Sequence, residues 1–140
     1  QDYEREAFGG LGLRSCDLAV VAKAGLLLLA YAEDELVGGC QLLRMVDDPH
    51  SLYMVGFYLR PAWQGRKLGS EFLLAVTKEA EKVGAESVVL TVASENERAL
   101  ALYRSTGFVH EALVTDFYGK GEHRHLLRWR IGQEGLHGSV

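Results

Sequence analysis

The chain predicts a single α/β domain, built as a mixed sheet with flanking helices. Its 140 residues are enough for one hydrophobic core and too few for two domains, so residues 1–140 form one predicted domain. Apolar residues make up 48% and charged residues 24%, values that are typical of a folded globular protein. The spacing of apolar residues changes along the chain between the two-residue repeat of strands and the longer repeat of helices. The chain is therefore predicted to contain both strands and helices.

The N-terminal third is expected to contain two short helices followed by strands. Residues 3–8 and 15–23 read as helices separated by a glycine cluster. Two apolar runs, 26–31 and 36–44, flank an acidic turn and predict an antiparallel hairpin. A third strand is predicted over 51–60, where β-branched and aromatic residues are frequent.

After this third strand the hydrophobic period lengthens. Apolar residues recur at three- and four-residue steps from Leu68 to Val83, which predicts an amphipathic helix that ends at Gly84. The next apolar run, Ser87–Ala93, has the composition of a buried strand.

The remainder of the chain predicts one more helix and two more strands. Ser94 begins a Ser-Glu-Asn-Glu capping box, so a helix is expected to start there and to end at Gly107. Residues 109–118 and 123–131 close the chain as strands around a glycine-containing turn. The predicted order is helices, three strands, helix, strand, helix and two strands, which gives a mixed sheet.

Composition excludes several classes of partner. The formal net charge is −4, so the chain lacks the basic surface with which proteins bind nucleic acid. The longest apolar run, 24–32, is far shorter than the roughly 20 residues that cross a membrane, and no secretory leader is visible. Cys16 and Cys40 lack metal or redox spacing, so both are expected to be free thiols in a reducing compartment, and the expected location is the cytoplasm.

The turn between the third strand and the long helix is a candidate anion site. Residues 64–70 read Gln-Gly-Arg-Lys-Leu-Gly-Ser, at the start of the predicted helix. Free backbone N–H groups and the positive end of the helix dipole converge at such a place, and Arg66 and Lys67 add full charges. The spacing matches neither a P-loop nor a dinucleotide-binding motif. The alternative is an ordinary strand-to-helix turn with solvated basic residues.

A second candidate segment begins after the next strand. Residues 96–108 read Asn-Glu-Arg-Ala-Leu-Ala-Leu-Tyr-Arg-Ser-Thr-Gly-Phe. Asn96 and Tyr103 are seven residues apart, about two helical turns, so both can lie on one side of the helix. The alternative is a capping asparagine and a core tyrosine.

In this order and separation, the two segments resemble the GNAT family, the GCN5-related N-acetyltransferases. The first is similar to the family's (Gln/Arg)-x-x-Gly-x-(Gly/Ala) pyrophosphate loop, and the second to its Asn-x-x-Ala-x-x-x-Tyr-x-x-x-Gly-Phe element. The similarity is close over residues 51–118. It implies a mostly antiparallel sheet with a splayed strand pair and flanking helices, and an acyltransferase that binds acetyl-CoA as cosubstrate without a metal.

The resemblance also implies where acetyl-CoA binds. Backbone amides of the 64–70 turn would hold the pyrophosphate, and the edge of the preceding strand would pair with pantetheine. Asn96 would lie near the cofactor, and Tyr103 beside the thioester sulfur as the catalytic residue. The cofactor-binding residues implied in this way are Phe57, Tyr58, Leu59, Gln64, Gly65, Arg66, Lys67, Leu68, Gly69, Ser70, Asn96 and Tyr103.

The chain departs from the family pattern at two places. Lys67 stands where the family has the first glycine of its loop; a lysine with negative φ can point outward, so the loop is expected to survive. The family's initial strand has no counterpart before Tyr3, so the chain is expected to lack it.

The general base is not evident from the sequence. The positions that correspond to the glutamates of many relatives are Tyr53 and Thr91. A water-relayed base is favoured, and direct attack by an amine that is already deprotonated is an alternative. The other candidates are Asp116, Tyr118, Glu95 and His110.

The acceptor is expected to be an amine. Nine acidic and five basic residues lie in the first sixty, and an acidic approach suits a cationic amine. Residues 116–119 look similar to the tyrosine-bearing loop of members that acetylate protein N-termini, which ranks a peptide or protein amine above a small amine.

A homodimer is left open, and His123 and His125 share a strand face without a third metal ligand. The rival interpretations are a non-catalytic acyl-CoA-binding module and a domain for another phosphate ligand.

Overall fold

The computed structural model describes residues 2–8, 11–17, 25–64, 67–115 and 119–132, with the backbone alone described over 2–17. Within these ranges the chain forms eight strands and two α-helices, with five strands before the first helix, one between the helices and two after the second. Their bounds are β1 Asp2–Phe8, β2 Leu11–Asp17, β3 Gly25–Ala32, β4 Glu35–Arg44, β5 Ser51–Leu59, α1 Leu68–Lys82, β6 Ser87–Ala93, α2 Glu97–Ser105, β7 Val109–Val114 and β8 Arg124–Arg130. Over these described ranges, no helix has the length and hydropathy that crossing a membrane would require.

The strands form one mixed sheet, in the order β1-β2-β3-β4-β5-β6-β8-β7. Neighbouring strands are antiparallel throughout, with the exception of β5 and β6, which run parallel. A parallel pair needs a crossover connection, and α1 supplies it between β5 and β6. The predicted α/β class with a mostly antiparallel sheet is confirmed.

The core lies between α1 and the middle of the sheet. The apolar stripe of α1 repeats at three- and four-residue steps, so one face of the helix is fully buried. That face carries Phe72, Leu73 and Val76, each with 0% exposure. It packs with inward-facing strand residues that include Leu28 of β3 and Val88 of β6. The helix therefore holds strands from both sides of the parallel pair in one core.

The parallel pairing of β5 and β6 is short. Ser51–Tyr53 of β5 pairs with Ser87–Val89 of β6, and the two strands then diverge. The start of the pair is held by a buried hydrogen bond of 2.6 Å between the hydroxyls of Ser51 and Ser87. On the other side of β5, the register with β4 shifts so that Val55 is an extra residue, a β-bulge that bends the strand. The predicted splayed pair is therefore present, and it opens a cleft.

The N-terminal prediction is wrong. Residues 3–8 and 15–17 lie in strands rather than helices, and these strands, β1 and β2, pair as an antiparallel hairpin whose second strand adds to β3. The expected lack of an initial strand is wrong for the same reason. The edge of β3 offers a row of hydrogen-bonding groups, and pairing with them outweighs the weak local preference of a short mixed sequence. Residues 18–23 of the second predicted helix lie outside the described residues.

Two of the later elements differ from the prediction: α2 begins after a different cap, and β7 ends earlier. The cap of α2 is Asn96 rather than Ser94, because the Asn96 side chain accepts a 3.1 Å hydrogen bond from the Ala99 N–H. Ser94 instead donates to the carbonyl of His123. Strand β7 ends at Val114, with residues 116–118 outside the described part of the chain. The predicted helix ends are confirmed, since Gly84 and Gly107 both adopt positive φ just beyond the helices.

One close backbone contact explains a glycine next to the cleft. A Cβ on Gly38 would lie 2.6 Å from the carbonyl oxygen of Tyr58 and 2.7 Å from a Leu59 methyl group, whereas a Cβ on Gly39 would meet nothing closer than 3.8 Å. We expect Gly38→Ala to lower the free energy of unfolding by about 1–3 kcal/mol, because β5 must move to admit the methyl group. Urea unfolding monitored by circular dichroism measures the change. Gly39→Ala is the matched control and should shift stability by less than about 1 kcal/mol; equal losses in the two variants would contradict the contact.

Candidate active site

A cleft of about 770 Å³ opens where β5 and β6 diverge. Its walls are the C-terminal halves of these two strands, the N-terminal turn of α1 and one face of α2. Nine of the twelve residues predicted to bind cofactor line it: Phe57, Tyr58, Leu59, Gln64, Lys67, Gly69, Ser70, Asn96 and Tyr103. The fold thus brings both sequence motifs to a single cavity.

Three predicted residues are not among those that line the cleft. Leu68 is 9% exposed and belongs to the hydrophobic core beneath the turn. Gly65 and Arg66 lie outside the described residues.

The turn before α1 is anchored to the end of β5. The side-chain amide of Gln64 donates a 2.8 Å hydrogen bond to the carbonyl of Leu59. Lys67 is the N-cap of α1, and Gly69 and Ser70 form the first helical turn at the rim of the cleft. The first N–H groups of a helix have no partner within it, and they lie at the positive end of the helix dipole. This end of the cleft is therefore suited to an anion.

Lys67 adopts a backbone conformation that favours glycine. Its φ is +63°, in the left-handed region, so the condition of a negative φ, under which the lysine was expected to fit the loop, is not met. A residue with a Cβ in this region costs roughly 1–2 kcal/mol. The turn thus keeps the backbone shape for which glycine is suited, and it carries an added positive charge.

One edge of β5 faces the cleft rather than a neighbouring strand. Among the described residues, β6 pairs with β5 only as far as Tyr53, so the remaining length of β5 turns its backbone groups toward the cavity. Tyr58 is 55% exposed, while the ring of Phe57 packs inward with its centroid 5.0 Å from that of Phe72. An extended ligand could pair with such an edge as an additional strand would.

Helix α2 presents Asn96 and Tyr103 to the same cavity. The oxygen of the Asn96 side chain caps the helix, so the capping alternative is correct for this residue, which also lines the cleft. The Tyr103 ring packs against two aromatic rings. Its centroid lies 6.3 Å from that of Phe57 and 5.6 Å from that of Phe108. Tyr103 is therefore both a packed tyrosine and a cleft residue.

The environment of Tyr103 keeps its hydroxyl protonated. Burial, with a smaller contribution from Cys40, raises the pKa of Tyr103 to about 12, and the positive charge of Arg124 offsets part of that rise. A thiol has a pKa of about 8.5, so complete proton transfer from this hydroxyl to a thiolate would be uphill by roughly 3.5 pKa units. The hydroxyl is suited to donating a hydrogen bond rather than to losing its proton.

No carboxylate is found among the described residues that line the cleft. Tyr53 and Thr91, the positions expected in place of a glutamate, lie at the point of divergence with a 3.0 Å hydrogen bond between their hydroxyls. Of the other candidate bases, Glu95 and His110 do not line the cavity. Asp116 and Tyr118 are outside the described part of the chain.

Two positively charged residues that line the cleft were not predicted from the sequence. Arg98 lies in the first turn of α2, and Arg124 is the first residue of β8. Arg124 reaches the cleft because it pairs with Ala93 of β6, a long-range register that no local pattern indicates. Within β8 itself, the only signal is an alternation that places Arg124 on one face with Leu126 and Arg128.

His110, His125 and Cys40 are not among the described residues that line the cleft. His125 pairs across the strands with His110 at 2.9 Å, and the described residues contain no group of three metal-ligating side chains. Cys40 is buried in the core, as expected, and burial raises the pKa of its thiol, so it stays protonated. Cys16 is described by its backbone alone.

Comparison with known proteins decides the family. The model of the acetyltransferase (GNAT) family matches residues 3–108. The chain belongs to this family. The resemblance seen in the two sequence motifs is thereby confirmed.

Individual GNAT relatives are distant. The chain is 28% identical over 89 residues to the uncharacterized N-acetyltransferase YvbK of Bacillus subtilis, a match covering 64% of the chain and 56% of YvbK. It is 37% identical over 90 residues to the mycothiol acetyltransferase of Paenarthrobacter aurescens, covering 61% of the chain and 27% of that protein. The chain therefore spans about half of the first relative and about a quarter of the second.

The GNAT fold is also seen in solved structures. A GNAT family acetyltransferase from Elizabethkingia anophelis, with acetyl-CoA bound, superposes with a TM-score of 0.76 and 14% identity. The alignment covers 87% of the present chain and 99% of that one. This likeness concerns the fold, including the mixed sheet in which one parallel pair interrupts antiparallel neighbours.

The strained lysine of this GNAT chain can be tested separately from its charge. We expect Lys67→Gly to raise the free energy of unfolding by about 1 kcal/mol relative to Lys67→Ala, because both variants lose the charge and only glycine relieves the positive φ. In a melting experiment this is a difference of roughly 3 °C. Both variants should bind CoA more weakly than the native chain, by a similar factor. Equal melting temperatures for the two variants would show that the backbone at residue 67 is not strained.

Proposed function

We propose that this GNAT chain is an acetyl-CoA-dependent N-acetyltransferase that transfers an acetyl group to a primary amine by direct attack in a ternary complex. The observation that carries the proposal is the shape of the cleft, in which an anion-binding helix start, an unpaired strand edge and the Tyr103 hydroxyl follow one another. Diphosphate, pantetheine and thioester follow one another in acetyl-CoA in the same order. The acetyl-CoA complex of the Elizabethkingia protein, with the same fold, supports this reading for the present chain.

In the proposed complex each part of acetyl-CoA has a partner in the chain. The N-terminal turn of α1, with Lys67 beside it, would bind the pyrophosphate through backbone N–H groups and positive charge. The free edge of β5 would pair with the amides of pantetheine. Asn96 would lie beside the cofactor, and Tyr103 beside the sulfur.

The transfer step has simple chemical requirements. An uncharged amine nitrogen attacks the thioester carbonyl, a nitrogen–carbon bond forms, and the carbon–sulfur bond breaks with its electron pair going to sulfur. A backbone N–H of β5 would stabilise the negative oxygen, and the Tyr103 hydroxyl would donate a hydrogen bond to the departing thiolate. The proton lost by the amine goes through water to solvent, and the thiolate takes a proton from solvent. Because the described lining residues include no carboxylate, a water-relayed base near Tyr53 and Thr91 is proposed.

A peptide or protein amine is the proposed acceptor. The unperturbed pKa of an α-amino group is about 7.7–8.0, against about 10.4 for lysine, so an α-amine needs less help from a base. This fits a cleft whose described lining offers no carboxylate. A small-molecule amine is the alternative, and a module that binds acyl-CoA without catalysis is a second one that the same observation favours.

Two measurements separate these functions. CoA and acetyl-CoA should raise the melting temperature of the chain, and acetyl-CoA with a panel of amines should release free thiol. Stabilisation by CoA without thiol release from any amine would indicate the non-catalytic module. A chain that CoA does not stabilise would instead bind some other phosphate ligand, and turnover of small amines without turnover of peptides would overturn the proposed acceptor.

Tyr103→Phe tests the role proposed for its hydroxyl. We expect turnover to fall by roughly 10- to 100-fold, because a hydrogen bond to a charged group contributes about 1.5–3 kcal/mol. The affinity for acetyl-CoA should change by less than about twofold, since the ring contacts remain. Stopped thiol-release assays and calorimetric titration give the two values. Tyr31→Phe, on β3 outside the residues that line the cleft, is the control, and an unchanged rate for Tyr103→Phe would remove the residue from the mechanism.

A further inference from the structure

The charged side chains among the described residues that line the cleft are of one sign. Within the described part of the lining, Lys67, Arg98 and Arg124 carry positive charge, and aspartate and glutamate are absent. Lys67 and Arg98 lie at the starts of α1 and α2, where the proposed phosphates would bind. Arg124 is on a different element, β8, on the far side of β6. A role in phosphate binding therefore accounts for two of the three cations and leaves Arg124 unexplained.

Arg124 is held in a defined position at the point where the strands diverge. Its Nη2 donates a 2.9 Å hydrogen bond to the carbonyl of Thr91, and its Nε lies 3.4 Å from the Thr91 hydroxyl oxygen. That hydroxyl is in turn 3.0 Å from the hydroxyl of Tyr53. The guanidinium is thus fixed against the two residues that stand where the proposed base would be. It is half-buried, so its charge is screened less than that of a surface arginine.

The field of Arg124 extends to the centre of the cleft. Its positive charge acts on the hydroxyl of Tyr103, which is the group proposed to lie beside the sulfur. An amine that attacks the thioester must approach this same point. The acceptor therefore reacts close to a fixed, half-buried cation.

Such a cation has two effects on an acceptor. It opposes the binding of an ammonium group and lowers the pKa of an amine held nearby, which increases the uncharged fraction that can attack. It also attracts an acid group, for which the planar guanidinium provides a directional partner. The second effect favours an acceptor that carries negative charge near its amine, and the repulsion of ammonium groups disfavours polyamines.

We propose that the acceptor carries a carboxylate a few bonds from its amine, and that Arg124 binds this carboxylate while the amine faces the thioester. The proposal rests on the proposed transferase function and narrows its acceptor class. It differs from the expectation of a cationic acceptor, which was based on the acidic first half of the chain. The charges that line the cleft lie closer to the reacting atoms than those of the chain as a whole, so they decide the preference.

The test uses pairs of acceptors that differ by one charge. One pair is L-alanine and L-alaninamide; the other is a short peptide with aspartate after its N-terminal residue and the same peptide with asparagine there. Thiol release from acetyl-CoA gives kcat/KM for each member. We expect kcat/KM of the acidic member to exceed that of its neutral partner by tenfold or more in at least one pair. A preference within the alanine pair would indicate a free amino acid as acceptor, and a preference within the peptide pair would indicate a peptide. Because the amine of the amide is less basic than that of the amino acid, amine pKa alone would produce the opposite order.

Variants at residue 124 show whether the arginine is responsible. Arg124→Gln should reduce the acidic-to-neutral ratio to within about twofold of unity, and Arg124→Lys should retain part of it. Arg130→Gln is the matched control, because Arg130 lies on the same strand, contacts Glu111 and is not among the residues lining the cleft. It should leave the ratio unchanged. A merely structural role for Arg124 would lower both members of a pair equally.

A measurement on the native chain covers the case in which Arg124→Gln does not fold. With CoA bound, the acidic member of the favoured pair should raise the melting temperature more than the neutral member. A ratio at or below unity in the native chain, or an unchanged ratio in Arg124→Gln, would overturn the proposal and leave the transferase function intact. If neither pair releases thiol while another amine of the panel does, the acceptor class fails and the transferase function stands. If no amine releases thiol while CoA still stabilises the chain, the transferase function fails, and the acceptor class fails with it.

Discussion

The site depends on one constraint: β5 and β6 pair in parallel for only three residues and then diverge. Two features hold the pair together at one end and separate it at the other. The buried Ser51 and Ser87 hydroxyls, bonded to each other and to Arg128, fix the start of the pair. The bulge at Val55 bends β5 away after it. A continuous parallel pair here would close the cleft and leave no free strand edge.

The elements around the cleft are positioned by the same core. Helix α1 follows β5 after a short connection, so its N-terminus must lie near the end of that strand, and the hydrogen bond from Gln64 to Leu59 holds it there. Helix α2 follows β6 in the same way. Phe57, Phe72 and Tyr103 pack together between the strands and helices, which joins the position of the Tyr103 hydroxyl to the hydrophobic core. The position of the proposed catalytic hydroxyl and the packing of the core are therefore linked at this tyrosine.

Local costs are concentrated at this cleft. Lys67 holds a positive φ, and β5 exposes backbone groups that a paired strand would satisfy. Arg124 brings a charge into a half-buried position. Such features persist where the surrounding structure determines them, and a ligand with phosphates, amides and an acid group would interact favourably with each. The GNAT fold supplies the frame, and these local features belong to the surface proposed for cosubstrate and acceptor.

Much of the architecture follows from local sequence. The period of apolar residues determines α1 because a helix with one buried face needs that repeat, and Gly84 and Gly107 determine helix ends because each adopts positive φ. The two motifs were likewise recognisable, since close approach of a phosphate to backbone requires particular residues at fixed spacing. The start of α2 could not be predicted from local sequence, because Ser94 and Asn96 are both good N-caps and only the fold shows which one is used.

The N-terminal hairpin and the position of Arg124 in the cleft could not be predicted from local sequence patterns. β2 pairs with the edge of β3 and residues 2–8 then pair with β2, so neither strand is determined by its own residues alone. Arg124 lines the cleft because of its register with Ala93, thirty-one positions earlier in the chain. The sequence by itself determined the family and the helices α1 and α2, and it predicted the residues that would hold a phosphate, because those depend on short-range periodicity and spacing. Only the tertiary structure decided the backbone state of Lys67, the cap of α2 and the sign of charge in the cleft, because these depend on contacts between elements far apart in the chain.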